Sequence, residues 1–159
     1  MLIQLARRLG AVAILVTGAV HLQQYLVQGF RGIPTIELLF LLNVIGSGIV
    51  GLCLLVPLDR KLSSRWTDSA VALLATVGLT IAIGSLVALF VSENGTLFGL
   101  HTARYSTAAV LAIVAEAAAV LLLTPVLAAA TARAFRRRSA RGVGRDRRTP
   151  SWSDSAATK

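Results

Sequence analysis

The sequence predicts an all-α fold: a polytopic transmembrane four-helix bundle in up-down order, with both termini cytoplasmic and a disordered, basic C-terminal tail. Three observations carry this. Hydrophobic residues make up 55% of the 159-residue chain, charged residues only 14%, and the mean hydropathy is +0.74. Adding the 13 glycines brings the apolar share to roughly 63%, above the ~45–50% of a water-soluble domain. The apolar residues fall into four runs, each long enough to cross ~30 Å of hydrocarbon as a helix. The net charge of +9 is concentrated at one end, where residues 133–159 hold eight Arg and one Lys against Asp146 and Asp154. Such a chain is neither a disulfide scaffold, with its single Cys53, nor an ordinary water-soluble globule.

The first run covers residues 9–28 and follows Arg7-Arg8. That beginning is shared with signal peptides, but the apolar stretch continues through Tyr25-Leu26-Val27 without a small-x-small cleavage pattern, so it is read as a retained span. A Gly/Pro turn, GFRGIPT, leads to the second run at 36–57, which has only Glu37 at its edge and stops at Pro57. The polar connection LDRKLSSRWTD ends on Asp68, the expected N-cap of the third run at 69–91. A longer amphipathic connection at 92–105 contains His101 and an Asn94-Gly95-Thr96 sequon, which is read as coincidence. The fourth run, 106–130, carries Glu116 near its middle. None of the runs shows the short alternating pattern of barrel strands. The membrane domain is thus expected over 1–132. Residues 133–159 are Arg/Ser-rich with little to bury, and are expected to be disordered.

Orientation follows from basic residues. One side would hold Arg7, Arg8, Arg60, Lys61, Arg65 and the nine basic residues of the tail; the other would hold only Arg31 and Arg104. The excess assigns both termini to the cytoplasm and the chain to the plasma membrane as a multi-pass protein.

Polar residues inside spans are costly and therefore informative. Thr17, His21, Gln24 and Gln28 recur at helical spacing on one face of the first span. Asn43 lies in the second, Thr76, Thr80 and Gly84 in the third and Glu116 in the fourth. Counting from the expected span ends at ~1.5 Å per residue puts His21 and Asn43 ~10 Å deep and Glu116 ~15 Å deep. His21, Gln24, Asn43 and Glu116 are therefore the candidate ligand-binding cluster. The plainer reading is interhelical glue. A haem or metal site on His21 and His101, with Glu116 as a third ligand, is a further alternative. No fixed spacing supports it, and no metal or cofactor is expected. There is no nucleophile elbow and no phosphate loop, so no catalytic residue is assigned.

Three small-xxx-small motifs, Ser47-x-x-x-Gly51 in the second span and Ala108-x-x-x-Ala112 and Ala115-x-x-x-Ala119 in the fourth, are expected to serve close packing within the bundle, the alternative being a dimer or partner contact. Arg133, Arg136, Arg137, Arg138 and Arg141 directly follow the last span. They are expected to bind anionic lipids or to act as a topology anchor. The tail has no folded module and only Trp152 for stacking, so no nucleic-acid partner is expected.

His21-Leu22, Phe30-Arg31, Ile33-Pro34-Thr35-Ile36 and Leu39-Phe40-Leu41-Leu42-Asn43 together resemble a set of small four-span membrane proteins of high-GC actinobacteria. The likeness covers about the first third of the chain. Glu37 departs from it, standing where the pattern has a small residue. The resemblance implies topology and no mechanism. The leading functional expectation is an accessory or scaffold membrane subunit contacting lipid or another membrane protein. A small-ligand or proton-linked binding or transport unit using the His/Asn/Glu cluster is the rival.

Overall fold

The computed structural model describes residues 1–27, 34–58, 63–94 and 107–146, side chains 34, 64, 65, 93, 94, 138 and 140–146 excepted. It is all-helical over the described residues. Helix α1 is Leu2–Val27, α2 is Pro34–Leu55, α3 is Ser64–Asn94 and α4 is Thr107–Asp146. Each contains a stretch long and apolar enough to cross a membrane: Leu2–Val27, Thr35–Leu55, Trp66–Ser92 and Thr107–Arg137. In lipid a backbone must satisfy its own hydrogen bonds, and a helix does so within one segment. Pro34 opens α2, where its missing N–H costs nothing, and Glu37 lies in the first turn, facing the positive end of the helix dipole.

The helices alternate in direction. α1 packs on α2 and on α4, and α4 packs on α3; the α2–α3 contact is thinner. At one end, here called the base, Ile3, Ala6, Leu58, Ala72 and Leu127 close around Val71, Ala75, Val126 and Ala130. The central layer is Ala11, Ile14, Val50, Leu54, Ala82, Ala119 and Leu123. Large apolar side chains face outward on all four helices, among them Val12, Leu42, Leu73 and Leu121. Such an exterior suits hydrocarbon rather than water.

Glycine sets the tightest approach. A Cβ on Gly51 would stand 2.5 Å from Leu15 Cγ and 3.1 Å from the Ala11 carbonyl oxygen, and one on Gly18 would stand 2.9 Å from Ser47 Cβ. Ser47 and Gly51 therefore face α1 within the bundle. Ala112, Ala115 and Ala119 are likewise buried.

Three boundaries differ from the sequence reading. α1 begins at Leu2 rather than near residue 9, and Arg7 is buried inside it at 4% exposure. α3 begins at Ser64, so Asp68 is not its N-cap. Asp68 sits within the helix and is drawn inward by Arg133 and Arg137 of α4. α4 runs on to Asp146, so residues 133–146 are helical where disorder was expected. That segment is rich in Ala and Arg, both good helix formers, and has no Gly until Gly142. The connections at 28–33, 59–62 and 95–106, with Gln28, Arg31, His101 and Arg104, lie outside the described residues. So do most of the sequon and the tail at 147–159.

Candidate functional site: a buried His–Ser–Glu cluster

Thr17, His21 and Gln24 are buried along the inner face of α1. The His21 Nδ1 lies 2.9 Å from the Thr17 carbonyl oxygen. A carbonyl only accepts, so Nδ1 carries a proton and the tautomer is set. In the neutral ring the Nε2 lone pair is then free to accept. The Ser85 hydroxyl of α3, 3.0 Å away, donates to it. Phe40 of α2 packs against the imidazole with ring centroids 5.3 Å apart. Three helices thus hold the ring in one orientation.

Glu116 of α4 is 1% exposed. Its Oε1 lies 3.9 Å from His21 Nε2. That is too long for a hydrogen bond but within reach of an ion pair. Neither Glu116 oxygen has a hydrogen-bond partner among the described residues, and the Thr17 hydroxyl has none either. Leaving a buried polar group unpaired costs ~1–3 kcal/mol.

The site lies close to the end of the bundle opposite the base. Arg7 to His21 is ~21 Å along α1, and Asp68 to Ser85 is ~25 Å along α3. Toward that far end, the Tyr25 hydroxyl donates to Glu37 Oε1 at 3.0 Å and ties α1 to α2. Toward the base the path is closed by the fully buried Ile14, Leu54 and Leu123.

The structure therefore brings His21 and Glu116 together and places Gln24 one turn from His21 on the same buried face. Asn43 is half-buried and accepts from Ser47 of its own helix at 3.1 Å. Ser85 takes the position between helices that the sequence reading gave to Asn43. The sequence offered little to find it, because a serine in a span can bond its own helix on any face. Thr76 and Thr80 do so: both are exposed, and both donate to carbonyls of α3, at 2.9 Å and 3.0 Å.

The arrangement supports proton exchange. With one proton beyond the Nδ1 hydrogen, the pair can exist as imidazole with carboxylic acid or as imidazolium with carboxylate. The proton count and net charge are the same in both, so a proton can pass between the two groups without a change in total charge. Ser85 can serve either state, donating to Nε2 or accepting from it.

Of the arginines expected to meet lipid, Arg133 and Arg137 pair with Asp68 at 2.9 Å and 3.3 Å. Arg136 is exposed, and the side chains of Arg138 and Arg141 lie outside the described residues. Among the described residues no three His, Cys, Asp or Glu side chains gather as metal ligands. Cys53 is half-buried with a free thiol. Neither a family model, nor a curated protein, nor a solved structure matches the chain.

Proposed function

We propose that this chain is a proton-linked binding unit of the plasma membrane, with its site at His21, Ser85 and Glu116. One observation carries the reading: a fully buried carboxyl, with no hydrogen bond of good geometry from the described chain, 3.9 Å from the Nε2 of a buried histidine. Polar residues that serve only as interhelical glue are expected to satisfy one another. This carboxyl retains accepting capacity for a proton or a small hydrogen-bond donor brought from outside. Intramembrane acids paired with histidine are a recurrent means of moving protons.

The distribution of Lys and Arg supports placing the base at the cytoplasmic side, which puts the site near the outer face. Exchange with the outside then passes Tyr25 and Glu37, while Ile14, Leu54 and Leu123 seal the cytoplasmic side. The accessory-subunit role draws no comparable support, since outward apolar side chains occur on all four helices, as lipid contact alone requires.

The test is a pH titration of the purified chain in lipid nanodiscs, followed by infrared difference spectroscopy of carboxyl bands. A titrating carboxylic-acid band should vanish in Glu116→Gln and shift in Ser85→Ala. A titration identical in wild type and Glu116→Gln would leave the glue reading standing.

A further inference from the structure

We propose that Phe40 tunes where the shared proton of the His21–Glu116 pair rests, an inference that rests on the proton-site reading above. Its aromatic face favours imidazolium with carboxylate over imidazole with carboxylic acid.

The two states hold the same proton and differ in charge separation. Both groups are buried, so separating charge is opposed by the loss of hydration. The 3.9 Å between His21 Nε2 and Glu116 Oε1 lets the opposite charges attract, which offsets part of that loss. Burial and attraction thus oppose one another, and a further contact on the ring can tip the balance.

The contacts from α1 and α3 serve both states. The Thr17 carbonyl receives the Nδ1 proton in each. The Ser85 hydroxyl donates to Nε2 in one and accepts from it in the other. Phe40 of α2 differs in kind. Its ring centroid lies 5.3 Å from that of the imidazole, with the planes tilted by 47°. That is within the ~6 Å over which a cation is drawn to the negative face of an aromatic ring, and the attraction grows where water is excluded. A neutral imidazole gains only packing from the same contact. Phe40 is the one aromatic residue of α2, and it stands among Leu38, Leu39, Leu41 and Leu42, which all face outward. Glu116 of α4 is the one charged group within ion-pair reach of the imidazole among the described residues. Glu37 of α2, one turn from Phe40, is engaged by the Tyr25 hydroxyl of α1.

The experiment uses the full chain in lipid nanodiscs, at the plateau of the pH titration where the pair holds one proton beyond the Nδ1 hydrogen. The Glu116 carboxylic-acid band, assigned by its loss in Glu116→Gln, measures one state. The imidazolium signal of isotope-labelled histidine in nitrogen NMR measures the other. Phe40→Leu should lower the ratio of imidazolium–carboxylate to imidazole–acid about fivefold, the equivalent of ~1 kcal/mol. Phe40→Trp, which keeps a stronger π face, should hold or raise the ratio. A role in packing alone would lower thermal stability and leave the ratio where it was. An unchanged ratio in Phe40→Leu overturns the proposal, as does an equal fall in Phe40→Leu and Phe40→Trp. If Phe40→Leu does not fold, a fluorinated phenylalanine at position 40 keeps the shape and weakens the negative face: a lower ratio supports the proposal, and an unchanged one refutes it. A wild type without a titrating Glu116 band overturns the proton site and this proposal together, whereas a titrating band with a ratio indifferent to residue 40 overturns this proposal alone.

Discussion

Glu116 is held under two opposing demands. Packing favours an apolar side chain at its buried position in α4, while the reading proposed above needs its carboxyl. Replacing it by Leu, of similar bulk, removes an unpaired polar group from the core. Glu116→Leu is therefore expected to stabilise the bundle by ~1–3 kcal/mol in thermal unfolding in micelles while abolishing the titrating carboxyl band. A fall in stability would mean that the carboxyl already has a good donor. Ser85 is the opposite case. Its hydroxyl meets a set lone pair on His21, so Ser85→Ala leaves Nε2 without a donor and should cost ~1 kcal/mol by the same measurement. Adding His21→Phe to Ser85→Ala should cost less than the sum of the two single changes, because the partner of the lost bond is then also gone. Strict additivity would show that the contact contributes nothing.

At the scale of the helices, α1 and α2 approach closely because Gly18 and Gly51 carry no side chain at the contact. Gly51→Val would drive two methyl groups into Leu15 and the Ala11 carbonyl, and overpacking of this kind costs ~1–3 kcal/mol. Gly48→Ala on the same helix meets nothing within 4 Å and serves as the control. Its stability should match or slightly exceed wild type, since Ala is the better helix former. The α3–α4 contact has a polar fastening at the base instead. Asp68→Asn should release Arg133 and Arg137 and speed amide hydrogen exchange in α4 beyond Ala132, with little change in the central layer. Arg133 is 45% exposed at its side chain, so the loss should stay within ~1 kcal/mol. Unchanged exchange beyond residue 132 would mean that the segment is held by its helix propensity alone.

For the molecule as a whole, the described contacts between α4 and the rest of the bundle extend through Arg137. Removal of residues 147–159 should accordingly leave membrane insertion and thermal stability unchanged. Sidedness is open to a direct check by thiol labelling in a Cys53→Ser background. Leu26→Cys, at the exposed far end of α1, should react from outside the cell. Ser139→Cys, on the extension of α4, should react only after permeabilisation. The reverse pattern would invert the orientation and place the proton site at the cytoplasmic face.

Composition and the lengths of four apolar runs determined the all-helical architecture of four helices, each long and apolar enough to cross a membrane, because in hydrocarbon the backbone must bond within each segment and a helix needs a certain length to cross. The inward use of Ser47 and Gly51 was legible too, since small residues spaced by four recur on one helix face. Helix rotation and the final register between helices were not legible. Aliphatic spans are apolar on every side, so no amphipathic stripe tells the inner face from the lipid face. For this reason Ser85 went unnoticed while Thr76 and Thr80 were conspicuous, and Asn43 was expected where Ser85 sits. Arg7 read as a topology signal, and only packing shows it buried beside the Asp68 pocket. The pairing of Arg133 and Arg137 with Asp68, on another helix, was likewise visible only in the tertiary structure. Long-range pairs of this kind are decided by which helices become neighbours, a choice that local sequence pattern does not encode.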